Sequence, residues 1–203
     1  MLGKTLMSST IKNGMTSVTT QTNKIYAGIG SRSTPADICE LMTQLGRKLA
    51  LKGAVLRSGG AEGADKAFEF GCEYGGGKAQ IFLAKFWYSF GKDFPNDNYV
   101  YDKKTWEQAT LIASQLHPAW QYLKPYARTL HTRNCFQMLG ISLLEPANFV
   151  LCWTPDGART AAQTSQKTGG TGQAIRVADS YGIKVYNLAV TEDLELARNW
   201  LNK

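Results

Sequence analysis

Apolar positions along the chain fall into five short runs, each followed by a longer segment in which they recur at helical spacing. The runs cover residues 24–29, 54–56, 79–83, 148–153 and 183–188, lengths that suit strands. After the first run, Ile38, Leu41, Met42, Leu45 and Leu49 trace one helical stripe, with Pro35 placed to start it and Gly53 to end it. Ala67, Phe68 and Cys72 mark a second helix, and Trp106, Ala109, Ala113 and Leu116 a third, closed by His117 and Pro118. A fourth begins after Pro125 and runs to about Leu144, and a fifth opens at residues 169–176 and ends at Gly182. Thr191 caps the last, with Glu192 and Asp193 in its first turn. Strands alternating with helices predict an α/β fold, a Rossmann-like, open and mostly parallel sheet of about five strands with helices on both faces.

Three stretches break this rhythm. Residues 1–23, rich in Ser, Thr, Asn and Met, have no period and predict a flexible tail or arm. Residues 84–104 carry Phe86, Trp87, Tyr88, Phe90, Phe94, Tyr99 and Tyr101 among polar residues, so an insertion that covers a site and stacks on a base competes with a satellite aromatic cluster or an oligomer contact. Residues 154–167 are polar and predict a mobile loop. Residues 24–203 form a single predicted domain, long enough for a core without staples.

Composition narrows the setting without naming a partner. The excess of 23 basic over 16 acidic side chains gives a net charge of +7, which favours an anionic partner, yet no basic run exceeds a pair. Cys39, Cys72, Cys135 and Cys152 are scattered and form no CxxC pair, so no metal site or cofactor is predicted, and reduced thiols suit a cytoplasmic protein. No apolar run approaches a membrane span, and no signal peptide is visible.

Candidate chemistry lies in the loops that leave the strands. The LRSGGAEGAD stretch, residues 56–65, follows the second run and opens the second helix; its Gly59, Gly60 and Gly63 free the backbone N–H groups to approach an anion. Asp65 falls in or near the helix's first turn, to cap amides or hold a ligand hydroxyl. The first run leads into Gly30, Ser31 and Arg32, and the fourth leads through its loop into Gly169, Gly170, Thr171 and Gly172. In an open parallel sheet, ligands bind at these strand exits. The fourth helix adds Arg133, one turn back from Phe136 on a stripe that otherwise faces the core. A buried charge there needs either a carboxylate of the protein or an anionic ligand. His131 and His117 are weaker candidates.

Four motifs in this order, GIGSR (28–32), the 56–65 stretch, TRN (132–134) and GGTG (169–172), resemble the SLOG superfamily, which joins DprA-type DNA-processing proteins and LOG phosphoribohydrolases. The wording is most similar to DprA-like proteins encoded by bacteriophages. The resemblance spans residues 24–190 and implies a nucleotide or phosphate site lined by Gly28, Gly30, Ser31, Arg32, Ser58, Gly59, Gly60, Gly63, Asp65, Arg133, Asn134, Gly169, Gly170, Thr171 and Gly172. The LOG motif PGGxGTxxE departs here: Thr168 replaces its Pro, and Arg176 stands where its catalytic Glu would be. An oxocarbenium-like transition state requires a negative neighbour. Arg176 is therefore expected to clamp phosphate instead, and no catalytic residue is assigned.

The leading expectation is non-hydrolytic binding, with sequestration as its effect, of a phosphorylated nucleotide or a nucleotide-derived signal such as an ADP-ribose derivative or cyclic nucleotide. Single-stranded DNA binding of the DprA kind is the first alternative. A nucleotide hydrolase or transferase using Asp65, Glu62 or Glu69 is the second. The resemblance also implies a homo-oligomer.

Overall fold

The computed structural model describes residues 24–84 and 101–202. Five strands, β1 (Ile25–Gly28), β2 (Val55–Ser58), β3 (Lys78–Ile81), β4 (Phe149–Cys152) and β5 (Lys184–Asn187), make one sheet in the order β3-β2-β1-β4-β5, every pair parallel. The helices are α1 (Ala36–Leu51), α2 (Ala64–Tyr74), α3 (Lys103–Leu116), α4 (Pro125–Leu139), α5 (Thr171–Ser180) and α6 (Thr191–Asn202). From β1 the chain builds outward to β3, then crosses back and adds β4 and β5 on the other side of β1. Strand order therefore reverses between β1 and β4, and the loops leaving these two strands part toward opposite faces, opening a crevice.

Alternation along the strands divides the core between the two faces. Tyr26, Leu56 and Leu151 pack with α1, α2 and α6, whereas Ala27, Val150 and Cys152 pack with α3, α4 and α5. Phe68 on α2 and Phe136 on α4 are fully buried anchors of the two layers, each contributing about 1.5–3 kcal/mol. Tyr101 belongs to the second layer: its ring lies 4.5 Å from that of Phe136 and 5.0 Å from that of Trp106, and its hydroxyl donates to the Leu83 carbonyl. The last aromatic of the 84–104 stretch thus packs, half-buried, against the core. The 1–23 tail, and Phe86 through Tyr99, lie outside the described residues.

Several predicted boundaries move. Helix α4 stops at Leu139, five residues short of the expected end, because Gly140 takes φ +73° and the chain folds back through hydrogen bonds from Glu145 N to Leu139 O and from Ala147 N to Met138 O. The segment predicted to be a mobile loop is instead hydrogen-bonded around Asp156, whose carboxylate accepts from the hydroxyls of Ser165 and Thr168. Desolvation opposes its charge, but these bonds and one from Thr154 outweigh it and pull the carboxyl down to about 2.

A second buried arginine explains the turn at Gly140. Arg57, fully buried in β2, donates Nε to the Gln80 side chain on β3 at 2.6 Å, and it binds both the carboxylate and the carbonyl of Glu145. Its guanidinium fills the space beside Gly140, where a Cβ would stand 2.7 Å from Nη2. Gly76 also has positive φ, +64°, but nothing lies within 4 Å of its Cβ position. Both substitutions to Ala incur left-handed backbone strain of about 1–2 kcal/mol, and Gly140→Ala adds an overpacking cost of about 1–3 kcal/mol. In urea titrations Gly140→Ala is expected to lose clearly more stability than Gly76→Ala; equal losses would show that the Arg57 contact yields freely.

Candidate functional site

At the crevice between β1 and β4 the loops after β1, β2 and β4 meet one face of α4 around a cleft of about 410 Å³. Of the residues expected from sequence, Gly30, Ser31, Arg32, Asp65, Arg133, Asn134, Gly169, Gly170 and Thr171 line it. The rest stand behind or away from it. Gly28 is a core position, where a Cβ would lie 2.6 Å from the Phe68 ring. Ser58 is buried, with no partner for its hydroxyl among the described residues. Gly60 faces Leu83 and Ile81, and Gly63 packs against the backbone of Ser31 and Arg32. Gly172 abuts Thr168, and Arg176 has its guanidinium beside the first turn of α5, outside the cleft lining.

Asp65 does not cap its own helix. From the first turn of α2 its carboxylate reaches the neighbouring loops, accepting from Gly30 N and Gly59 N at 3.2 Å each and from Ala61 N at 3.4 Å. Arg133 approaches from the opposite face of the sheet, on α4. It bonds no carboxylate among the described residues: its Nη1 donates to the carbonyls of Gly59 at 2.6 Å and Phe82 at 3.3 Å, with Asp65 an electrostatic neighbour. Gly59 is required by this approach, since a Cβ there would sit 1.7 Å from Nη1. The buried Nε of Arg133 has no partner among the described residues.

The electrostatics follow from burial. Desolvation pushes the Asp65 carboxyl up to about 6, with Glu69 adding to it and with Arg133 and the Ala61 and Gly30 amides opposing. Desolvation likewise lowers Arg133, again opposed by Asp65. Among the described residues Asp65 is the only carboxylate in the lining, against Arg32, Arg133 and Lys167. Helix α5 also presents its first turn with no side-chain cap on Gly170, which leaves amide charge facing the cleft. Such an arrangement makes the cleft electropositive. No group of three or more His, Cys, Asp or Glu suited to a metal ion occurs among the described residues.

Sequence reasoning passed over Lys167 and Gln137, which also line the cleft. Gln137 is one turn on from Arg133, and Lys167 directly precedes the GGTG approach at Thr168. Asn134, named only through the TRN motif, has a geometric role: its side-chain amide donates to Gly170 O at 3.1 Å and ties α4 to the glycine loop.

The fold and site define an open-sheet α/β protein with a positively charged cleft at the point where strand order reverses. A family model described as DNA recombination-mediator protein A matches residues 12–143, and the chain belongs to that family. The match ends before β4, so the GGTG loop and Arg176 lie beyond it. Among solved structures, DNA processing protein A (DprA) from Streptococcus pneumoniae is similar at 18% identity and a TM-score of 0.46, over 89% of this chain and 56% of that one. The chain therefore spans just over half of that protein's length. No curated protein matches.

Because its folded-state pKa is raised, Asp65 makes folding less favourable as pH rises from its unfolded value near 4 through about 6. The contribution, present in full below the unfolded pKa, is of order 3 kcal/mol. The stability of the protein minus that of Asp65→Asn is expected to fall across this window in urea titrations at stepped pH. A flat difference would mean that the carboxyl titrates alike in the folded and unfolded protein.

Proposed function

We propose that the chain binds single-stranded DNA as a DNA-processing protein of recombination, holding strand phosphates at the cleft. The observation that carries this reading is the charge of the cleft in a chain of this family. Arg32, Lys167 and Arg133 meet at the strand exits, and the one carboxylate among them is sunk into hydrogen bonds with backbone amides. Arg32 is exposed and free to follow a strand, whereas Arg133 is held by two carbonyls and contributes a fixed charge. Residues 24–203 act as one binding domain in this reading.

A free phosphorylated nucleotide, the leading expectation from sequence, is the second reading. The size of the cleft favours it, since about 410 Å³ falls within the range of small-molecule sites. Membership in the DNA recombination-mediator family favours the strand. The two differ in salt response, because each strand phosphate neutralised contributes about −0.7 to the slope of log affinity against log salt.

A fluorescent thymidine 20-mer titrated at stepped salt is expected to bind with a steep slope, uncompeted by thymidine monophosphate. Arg32→Ala and Lys167→Ala should each flatten the slope by about 0.7. Binding abolished by the mononucleotide, with a slope close to that of one phosphate, would move the function to the second reading.

A further inference from the structure

Beside the cleft lie two histidines and an arginine, with no acid among the described residues acting on them. The rings of His117, at the end of α3, and His131, on α4, are 4.6 Å apart at a tilt of 47°. His131 lines the cleft, and its Nδ1 is buried without a partner among the described residues. Arg176 approaches from α5, half-buried, its Nη1 3.5 Å from the Cβ position of Gly172 in that helix's first turn. It too has no hydrogen-bond or ion-pair partner among the described residues. The groups that act on His131 are His117 from α3, Arg133 from its own helix and Arg176 from α5, and all of them oppose its protonation. Burial is the larger cause, and together they push the imidazole down to about 4. A half-buried guanidinium is ordinarily paired, because leaving water costs it solvation that only a counter-charge restores.

We propose that His131, His117 and Arg176 form an anion subsite on the flank of the cleft, selective for a phosphate monoester over a diester. It deepens the reading of the cleft as a phosphate-holding site and rests on it only for the source of the ligand. The charge count decides the selectivity. An internucleotide diester carries one negative charge, which Arg176 alone balances, leaving the imidazoles neutral and without effect. A monoester carries about −1.5 to −2 near neutral pH, enough to balance Arg176 and to draw a proton onto one imidazole of the pair. That proton comes from solvent, and no bond to the ligand is made or broken. A strand terminus and a free nucleoside monophosphate share this chemistry.

The chain has only two histidines, so in untagged protein their ring resonances are assigned with a single His117→Gln variant. Inorganic phosphate is expected to raise the NMR titration midpoint of His131 by about two units or more, into the range where the anion takes on its second charge, equivalent to at least about a hundredfold tighter binding to the protonated form. Dimethyl phosphate, a monoanionic diester, should move it by less than a third as much, and Arg176→Gln should abolish the shift. If that variant fails to fold, the two anions compared on the unaltered protein still decide the matter. A midpoint unmoved by phosphate up to tens of millimolar, or moved equally by both anions, overturns the subsite. Repeating the titration with thymidine monophosphate and with a 5′-phosphorylated oligothymidine shows which source binds more tightly. These measurements do not depend on the DNA titration: a shift by phosphate without binding of the 20-mer would remove the DNA reading and leave the subsite, and the converse result would do the reverse.

Discussion

Two charged side chains, reaching in from opposite faces of the sheet, hold the carboxyl ends of three adjacent strands together. Asp65, on the α2 side, gathers the amides of Gly30 after β1 and of Gly59 and Ala61 after β2. Arg133, on the α4 side, takes the carbonyls of Gly59 after β2 and Phe82 after β3. Gly59 is bonded by both, through its N–H and its C=O, and no other residue type fits there beside the guanidinium. Loops at strand exits carry backbone groups that no ladder satisfies. Here one anion satisfies amides and one cation satisfies carbonyls, and their mutual attraction offsets part of the cost of burying both.

This clamp shapes what the cleft can do. The Asp65 carboxylate is occupied with backbone amides, so its charge is directed into the protein, while Arg32, Lys167 and the uncapped turn of α5 present positive charge outward. The loop after β4 joins from the far side of the switch point. Asp156 holds its Ser165 and Thr168 hydroxyls, and Asn134 secures Gly170 to α4. The cleft is therefore assembled by side chains that are not themselves the outward-facing cations.

The three arginines near the sheet show three outcomes for one residue type. Arg57 is sealed into β2 and matched by Glu145 and Gln80, a structural pin on the turn after α4. Arg133 spends Nη1 on carbonyls yet keeps an Nε without a partner among the described residues. Arg176 has no partner among the described residues. The differences come from the surroundings, since only Arg57 lies within reach of an acid from another element that is not already engaged by backbone amides.

Much of the architecture was legible in the chain. Short apolar runs alternating with helical stripes define a parallel sheet covered on both faces, because strand and helix periods are local properties of the sequence. The glycine loops at residues 30, 59–63 and 169–172 follow from the same local logic, as did the isolation of Arg133 on an apolar stripe. Partners are another matter. That Arg133 meets carbonyls instead of a carboxylate, that Asp65 reaches the Gly30 amide, that Tyr101 packs against the core, and that Arg176 stands outside the cleft lining all depend on residues tens of positions apart. Hydrogen bonding and charge pairing act over a few ångströms in space, and only the strand order β3-β2-β1-β4-β5, with its reversal beside β1, determines which distant residues come that close.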